Sequence, residues 1–258
     1  MADAATEVVL VEQRDGMQII TIDRPGARNA VNRAVSDAVS AALDELESRT
    51  DLRLGIITGA KGTFCSGMDL KAFVGGEDVM HPVRGFGGIC MKPPTKPMIA
   101  AVEGWALAGG AEIALACDMI VAAEDAQLGI PEVKRGLVAG AGGLLRMPSK
   151  IPLALAYELA LTGDPLTAKA AHALGMVNAL TPRGGALDGA LALAARITPN
   201  GPLALAATKR VLDFAAEHTL EEGWALTLEV MPTIFASKDA IEGATAFAEK
   251  RPPRWTGT

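Results

Sequence analysis

Short apolar runs separated by helical stretches constrain this chain more than any other feature. Leu54-Gly55-Ile56-Ile57-Thr58, Met98–Val102 and Met119–Ala123 are each about one strand long and show no polar alternation. A strand that is apolar on both sides must be buried on both sides, which is the condition of a mostly parallel sheet covered by helices. Met176–Leu180 reads as a weaker fourth run. Upstream, Val8–Glu12 and Met17–Ile22 flank Asp15-Gly16, a hairpin signal. Val31, Val35, Val39, Ala42, Leu43 and Leu46 recur near a 3.6 period, so Asn32–Ser48 reads as a helix. Strands alternating with helices imply an α/β layer structure.

The C-terminal part differs. From Pro202 the pattern is helical over 202–217, 220–235 and 238–249. Leu212, Phe214, Leu220, Trp224, Leu226, Leu228, Met231, Ile234 and Phe235 give these helices more apolar surface than a small appendage can hide alone. The reading is therefore a core over 1–200 and a helical region over 201–258 that packs on the body or on a neighbouring chain. Phe73–Pro97, with five glycines and a Pro93-Pro94-Thr95-Lys96-Pro97 cluster, reads as a long loop with at most a short helix. Loops of that length inside a domain are often functional.

Composition limits the function. The 258 residues are 50% hydrophobic and 21% charged, the signature of a globular chain. A formal net charge of −6 argues against nucleic acid as a partner, although a few local cations can still hold a phosphorylated ligand. Met1–Glu7 lacks the basic and apolar regions of a signal peptide, and the longest apolar stretches are interrupted by Glu112, Asp118 and Glu124, so no membrane span is expected. Cys65, Cys90 and Cys117 are far apart and form no Cys-x-x-Cys pair, so they read as reduced thiols of a cytoplasmic protein. His81, His172 and His218 are scattered, so a zinc site is not expected.

Three segments carry chemistry. Glu112 closes Leu107-Ala108-Gly109-Gly110-Ala111-Glu112, and Glu132 closes Leu128-Gly129-Ile130-Pro131-Glu132. Gly62–Leu70 supplies a third turn through Ser66-Gly67-Met68-Asp69. Gly109-Gly110 at a helix start can aim N–H groups at an oxyanion, or can simply let a strand and helix pack closely. Met68 N–H is a candidate second donor, whereas Asp69 has the plainer role of a helix cap open to it. Gly140-Ala141-Gly142-Gly143 looks like a phosphate cradle but lacks the Lys-Ser/Thr of a P-loop, so close helix packing competes. Either glutamate alone could be a surface carboxylate at a helix start. Two donors and two carboxylates within so short a stretch point instead to an enzyme working on a carbonyl compound.

Nearly end to end, the chain resembles the enoyl-CoA hydratase/isomerase (crotonase) superfamily. Asp23-Arg24-Pro25-Gly26-Ala27-Arg28-Asn29-Ala30 resembles its early CoA-contacting turn, and Phe64–Leu70 with Ala106–Glu112 its two oxyanion segments. Gly129–Glu132 with Gly140–Gly143 resembles the second catalytic segment, and Phe235–Asp239 through Phe247–Arg251 the C-terminal signature. The resemblance implies an α/β fold with a ββα spiral core, a helical C-terminal trimerisation region, and homotrimers that often pair into homohexamers. It implies an acyl-CoA thioester as substrate, with coenzyme A part of that substrate. Carried over by position, Met68 and Gly109 supply the oxyanion N–H groups, Glu112 and Glu132 are catalytic, and Ala27, Arg28, Ala30, Ser66, Met68, Asp69, Leu70, Lys71, Gly109 and Gly140 contact the CoA ester. Lys250 and Arg251 are further candidates for the CoA phosphates.

Both glutamates together resemble true hydratases, with Glu112 as the base that orients water and Glu132 as the acid that protonates Cα. Allylic isomerisation through Glu132, another lyase reaction such as carnitinyl-CoA dehydration, and an idle assembly or RNA-binding scaffold are the alternatives. Met68, Leu144-Leu145 and Glu103 depart from common hydratase residues and bear on acyl preference.

Overall fold

In a computed structural model, residues 7–258 are described; nearly all of the N-terminal stretch read for a leader therefore lies outside them. β1 (Val9–Arg14) and β2 (Met17–Ile22) form the expected antiparallel hairpin. Asp15 and Gly16 both take positive φ, 52° and 76°, which matches the twist of a tight hairpin. α1 (Arg33–Ser48) begins where the Asn32 side chain accepts from the Val35 N–H at 3.2 Å and buries Val35, Val39, Ala42, Leu43 and Leu46. β3 (Leu54–Gly59) follows, then α2 (Leu70–Val74), the loop, and β4 (Met98–Val102). β5 (Trp105–Leu107), α3 (Gly109–Ala116), β6 (Met119–Ala123) and β7 (Gln127–Gly129) come next. α4 (Gly143–Lys150), α5 (Leu153–Thr162), β8 (Leu166–Thr167), α6 (Ala168–Ala173), β9 (Ala179–Thr181) and α7 (Ala186–Ala194) complete the body.

The main sheet has the order β1-β2-β3-β4-β6-β9 and is parallel from β2 onward. Alternation along its strands feeds two cores. Ile57, Ala100, Val102 and Ala122 face a large cluster with α1 and α3, while Leu54, Ile56, Ile99, Ala101 and Val121 meet Ala186, Ala190 and Ala194 of α7. This is the two-sided burial that the apolar runs require. The fourth run is corrected. Met176 and Val177 give their N–H groups to Ala171 at the end of α6, so the strand starts only at Ala179.

A second sheet of very short strands, β5-β7-β8, lies beside the first. Each turn of the chain contributes one long strand, one short one and a helix start. Cys65 pairs in parallel with Ala106, and Ala106 with Leu128. Three residues beyond each partner stand Met68, Gly109 and Pro131, with Glu132 next. The three candidate segments therefore occupy the same place on successive turns of a spiral, one strand spacing of about 4.8 Å apart.

The last three helices fall close to the expected bounds, as α8 (Pro202–Ala215), α9 (Leu220–Phe235) and α10 (Lys238–Glu249). A Thr219–Glu222 capping box starts α9. Lys209 ties α8 to the body through Asp118 at 2.8 Å and the Lys96 carbonyl at 3.2 Å. No helix among the described residues is long and apolar enough to cross a membrane.

Candidate active site

The candidate oxyanion donors, the Met68 and Gly109 N–H groups, come from backbone that has no other hydrogen-bond partner. Val31 donates to Gly67 O and accepts from Asp69 N, each at 2.8 Å, so the Met68 N–H between them points the other way. Gly109 opens α3, where the first N–H groups of a helix have no intrahelical acceptor. Ala108 aims it. This residue sits at φ 52°, ψ −128°, a conformation that costs a non-glycine residue about 1–3 kcal/mol, and is held there by its N–H to Gly129 O at 2.8 Å and by its carbonyl to Glu112 N at 3.1 Å. A Cβ on Gly67 would stand 3.2 Å from Gly109 N, so the two donor segments touch. Gly109 itself must be glycine, because a Cβ would lie 2.2 Å from the Phe86 ring. Two N–H groups one strand spacing apart can both reach a single oxygen at about 2.9 Å.

Glu112 lies one helical turn further on and is buried, with 3% of its surface exposed. Its Oε1 accepts from Ala141 N at 2.8 Å and Gly143 N at 2.9 Å, which leaves Oε2 to meet a water. Gly140–Gly143 thus works neither as a phosphate cradle nor as mere packing; its N–H groups hold a carboxylate. A Cβ on Gly143 would press within 2.9 Å of Glu112 Cγ. Burial raises the Glu112 carboxyl above its ordinary value, opposed by the Gly143 and Ala141 bonds and then by the Arg146 charge.

Glu132 sits in the 3-10 turn Pro131–Arg135. Its Oε2 is buried and has no hydrogen-bond partner in the protein. Burial pushes its carboxyl up to about 7, and the Glu112 charge adds to the rise. The two carboxyls are therefore poised differently, one held by N–H donors and the other left orphaned in apolar surroundings.

The early turn joins the same edge. Ser66 N donates to Arg28 O at 3.1 Å and Ser66 Oγ to Ala27 O at 3.5 Å; the Ala30 carbonyl accepts from Arg24. Ala27, Arg28, Ala30, Ser66, Met68 and Asp69 are thereby brought together, with exposed Leu70 and Lys71 following. The Asp69 carboxylate is already engaged, capping α2 and pairing with Arg24 at 3.0 Å, so its role there is structural. Arg28 lies 5.5 Å over the Trp105 ring, a stack the sequence did not announce. Gly140 is exposed at the start of the Glu112 turn. Arg251, a candidate for the CoA phosphates, pairs here with Glu242 and Glu249, and Lys250 ends α10 at φ 54°. Glu103 accepts from Gly184 N and Ala186 N at 3.1 and 2.8 Å and so caps α7.

Two cavities, of about 900 and 1180 Å³, lie between the C-terminal helices and the body and include neither glutamate. The candidate site is marked by the convergence of N–H donors and carboxylates. All three cysteines are unpaired and buried, and burial drives the Cys65 thiol up to about 12. Among the described residues no three His, Cys, Asp or Glu side chains stand close enough to hold a metal ion.

Comparisons with known proteins give the family and the fold. The model of the enoyl-CoA hydratase/isomerase family matches residues 12–258, and the chain belongs to that family. A crystal structure of an enoyl-CoA hydratase from Mycobacterium marinum is 61% identical, with a TM-score of 0.95 over 98% of this chain and 100% of that one. A carnitinyl-CoA hydratase from Mycobacterium avium is 45% identical, with a TM-score of 0.80 over the same shares. A carnitinyl-CoA dehydratase from Proteus mirabilis is 39% identical over 92% of this chain and 94% of that protein. The crotonase fold is thus the fold of this chain.

Proposed function

We propose that the protein is an enoyl-CoA hydratase that adds water reversibly across the 2,3 double bond of a 2-enoyl-CoA. The observation that carries this reading is the pair of unlike carboxyls beside two unbonded N–H groups. Conjugation makes C3 of the enoyl thioester electrophilic. As water attacks C3, charge moves onto the thioester oxygen, where the Met68 and Gly109 N–H groups stabilise it; each such donor is typically worth about 2.7–4 kcal/mol. Glu112, ionised, takes the proton from water through Oε2. Glu132, protonated, delivers its proton to C2 and collapses the enolate. The product is a 3-hydroxyacyl-CoA, and the pair ends with the proton on Glu112. Dehydration runs the same steps backwards.

An isomerase needs only the Glu132 shuttle and gives no reason to hold Glu112 by two N–H groups. An idle scaffold gives no reason for an orphaned, proton-holding Glu132. Carnitinyl-CoA dehydration, suggested by the names of relatives, uses the same proton transfers on an acyl group that carries a trimethylammonium. The test follows loss of the conjugated thioester absorbance with 2-enoyl-CoAs of increasing length and with the trimethylammonium analogue. Turnover of uncharged chains supports the reading, and turnover of the analogue alone would replace it. We also propose a trimer or a pair of trimers. Leu212, Leu220, Trp224, Leu228 and Phe235 are each more than half exposed on α8 and α9. Light scattering that found a monomer at micromolar concentration would reject it. A cytoplasmic location and the lack of a separate cofactor belong to the same reading.

A further inference from the structure

Glu112 is held by a turn, and that turn is gripped by one side chain. Gly142 has φ 102°, and the Arg146 guanidinium lies over it, so a Cβ built there would stand 2.4 Å from Nη1. Nη2 donates to the Cys90 carbonyl at 2.7 Å. Cys90 follows the 3-10 turn Phe86–Gly88, whose Phe86 ring covers Gly109. One guanidinium therefore bridges the loop that shapes the oxyanion glycine and the turn that holds the base. We propose that Arg146 is a positioning residue: it clamps the Gly140–Gly143 turn to the Phe86–Cys90 segment and keeps the Ala141 and Gly143 N–H groups on Glu112. The inference deepens the hydratase reading and rests on it.

The groups facing Glu112 are few. From the Pro131–Arg135 turn comes Glu132, itself influenced by Arg135. From the loop comes the Cys90 thiol, pushed well above its usual value by burial and then by the Glu112 charge, and so neutral. From α4 comes Arg146, the cation that opposes the burial of Glu112. Removing it leaves only the two N–H bonds against burial.

The test compares Arg146→Met and Arg146→Lys in the full-length protein. With a short 2-enoyl-CoA, the methionine variant should move the acid limb of the kcat/KM profile to higher pH. One unit corresponds to about a tenfold loss at the foot of the limb, with kcat affected more than KM. The lysine variant keeps the charge but cannot both cover Gly142 and bond Cys90, so its limb should stay near wild type while kcat remains low. Carbon-13 NMR of glutamate carboxyls, with the Glu112 signal identified by its loss in Glu112→Gln, reads the same shift without turnover. A folded methionine variant with an unmoved limb and an unmoved Glu112 midpoint overturns the proposal. Should wild type hydrate no 2-enoyl-CoA, the hydratase reading falls, while the carboxyl titration still decides the clamp.

Discussion

Raising the pH from 6 to 9 strips the proton that the mechanism needs on Glu132. Its carboxyl is lifted from an ordinary value of 4.5 to about 7, burial being the largest cause. At a midpoint near 7 about 90% is protonated at pH 6 and about 10% at pH 8. An ordinary glutamate would be only about 3% protonated at pH 6, so burial supplies roughly thirtyfold more acid there. Hydration needs one proton on the pair, on Glu132; dehydration also needs one, on Glu112. The kcat/KM profiles in the two directions must therefore coincide. Each should fall about tenfold per unit above an alkaline limb near 7, and the limbs belong to the coupled pair. Stopped or continuous absorbance assays over that range measure it. In Glu132→Gln the alkaline limb should vanish, with residual activity about a hundred- to ten-thousandfold lower. A wild-type profile that stays flat from pH 6 to 9 would refute the assignment of Glu132 as the acid.

Three other outcomes follow from the same geometry. Glu132 binds its proton more tightly folded than unfolded, so stability from this group falls as pH rises from about 4.5 to about 7 and the loss is complete above that. Glu132→Gln should therefore melt higher than wild type at pH 8, by about 2–4 °C for each kcal/mol that the lost proton costs, and at the wild-type temperature at pH 4; a lower melting temperature at pH 8 would contradict the burial argument. Glu112→Ala should impair hydration more than deuterium exchange at C2, because only hydration needs the held water, and equal losses in the two measurements would count against that division. Glu103→Ala should release two N–H groups at the start of α7 and cost about 1 kcal/mol, read as a lower melting temperature with kcat preserved; an unchanged melt would show the cap to be dispensable.

Periodicity made the large elements legible. Val35, Val39, Leu43 and Leu46 announced α1, the doubly apolar runs announced β3, β4 and β6, and three amphipathic stretches announced α8–α10. The three-residue strands β5 and β7 are too short to carry a period, yet they set the register that unites Met68, Gly109 and Glu132. Ser66-Gly67, Gly109-Gly110 and the two glutamates could be singled out because glycine and carboxylate have distinct chemistry wherever they stand. The partners that tune them could not. Glu112 is bonded 29 and 31 residues away, by the backbone of Ala141 and Gly143, and a backbone N–H leaves no mark in the sequence. Met176 and Val177 have strand-like side chains, but the end of α6 claims their N–H groups. The ion pairs of Arg251 were hidden for a related reason: its charge is visible in the sequence, whereas Glu242 and Glu249 meet it only in three dimensions.

The most direct test that this site performs a hydration is isotopic. A 2-enoyl-CoA is turned over in water labelled with oxygen-18 and deuterium, and the product is analysed by mass spectrometry and NMR. If Glu112 activates water and Glu132 protonates C2, each 3-hydroxyacyl-CoA molecule carries oxygen-18 at C3 and one deuterium at C2, both added to the same face. An enoyl-CoA with a shifted double bond, deuterium and no oxygen-18 would contradict the account.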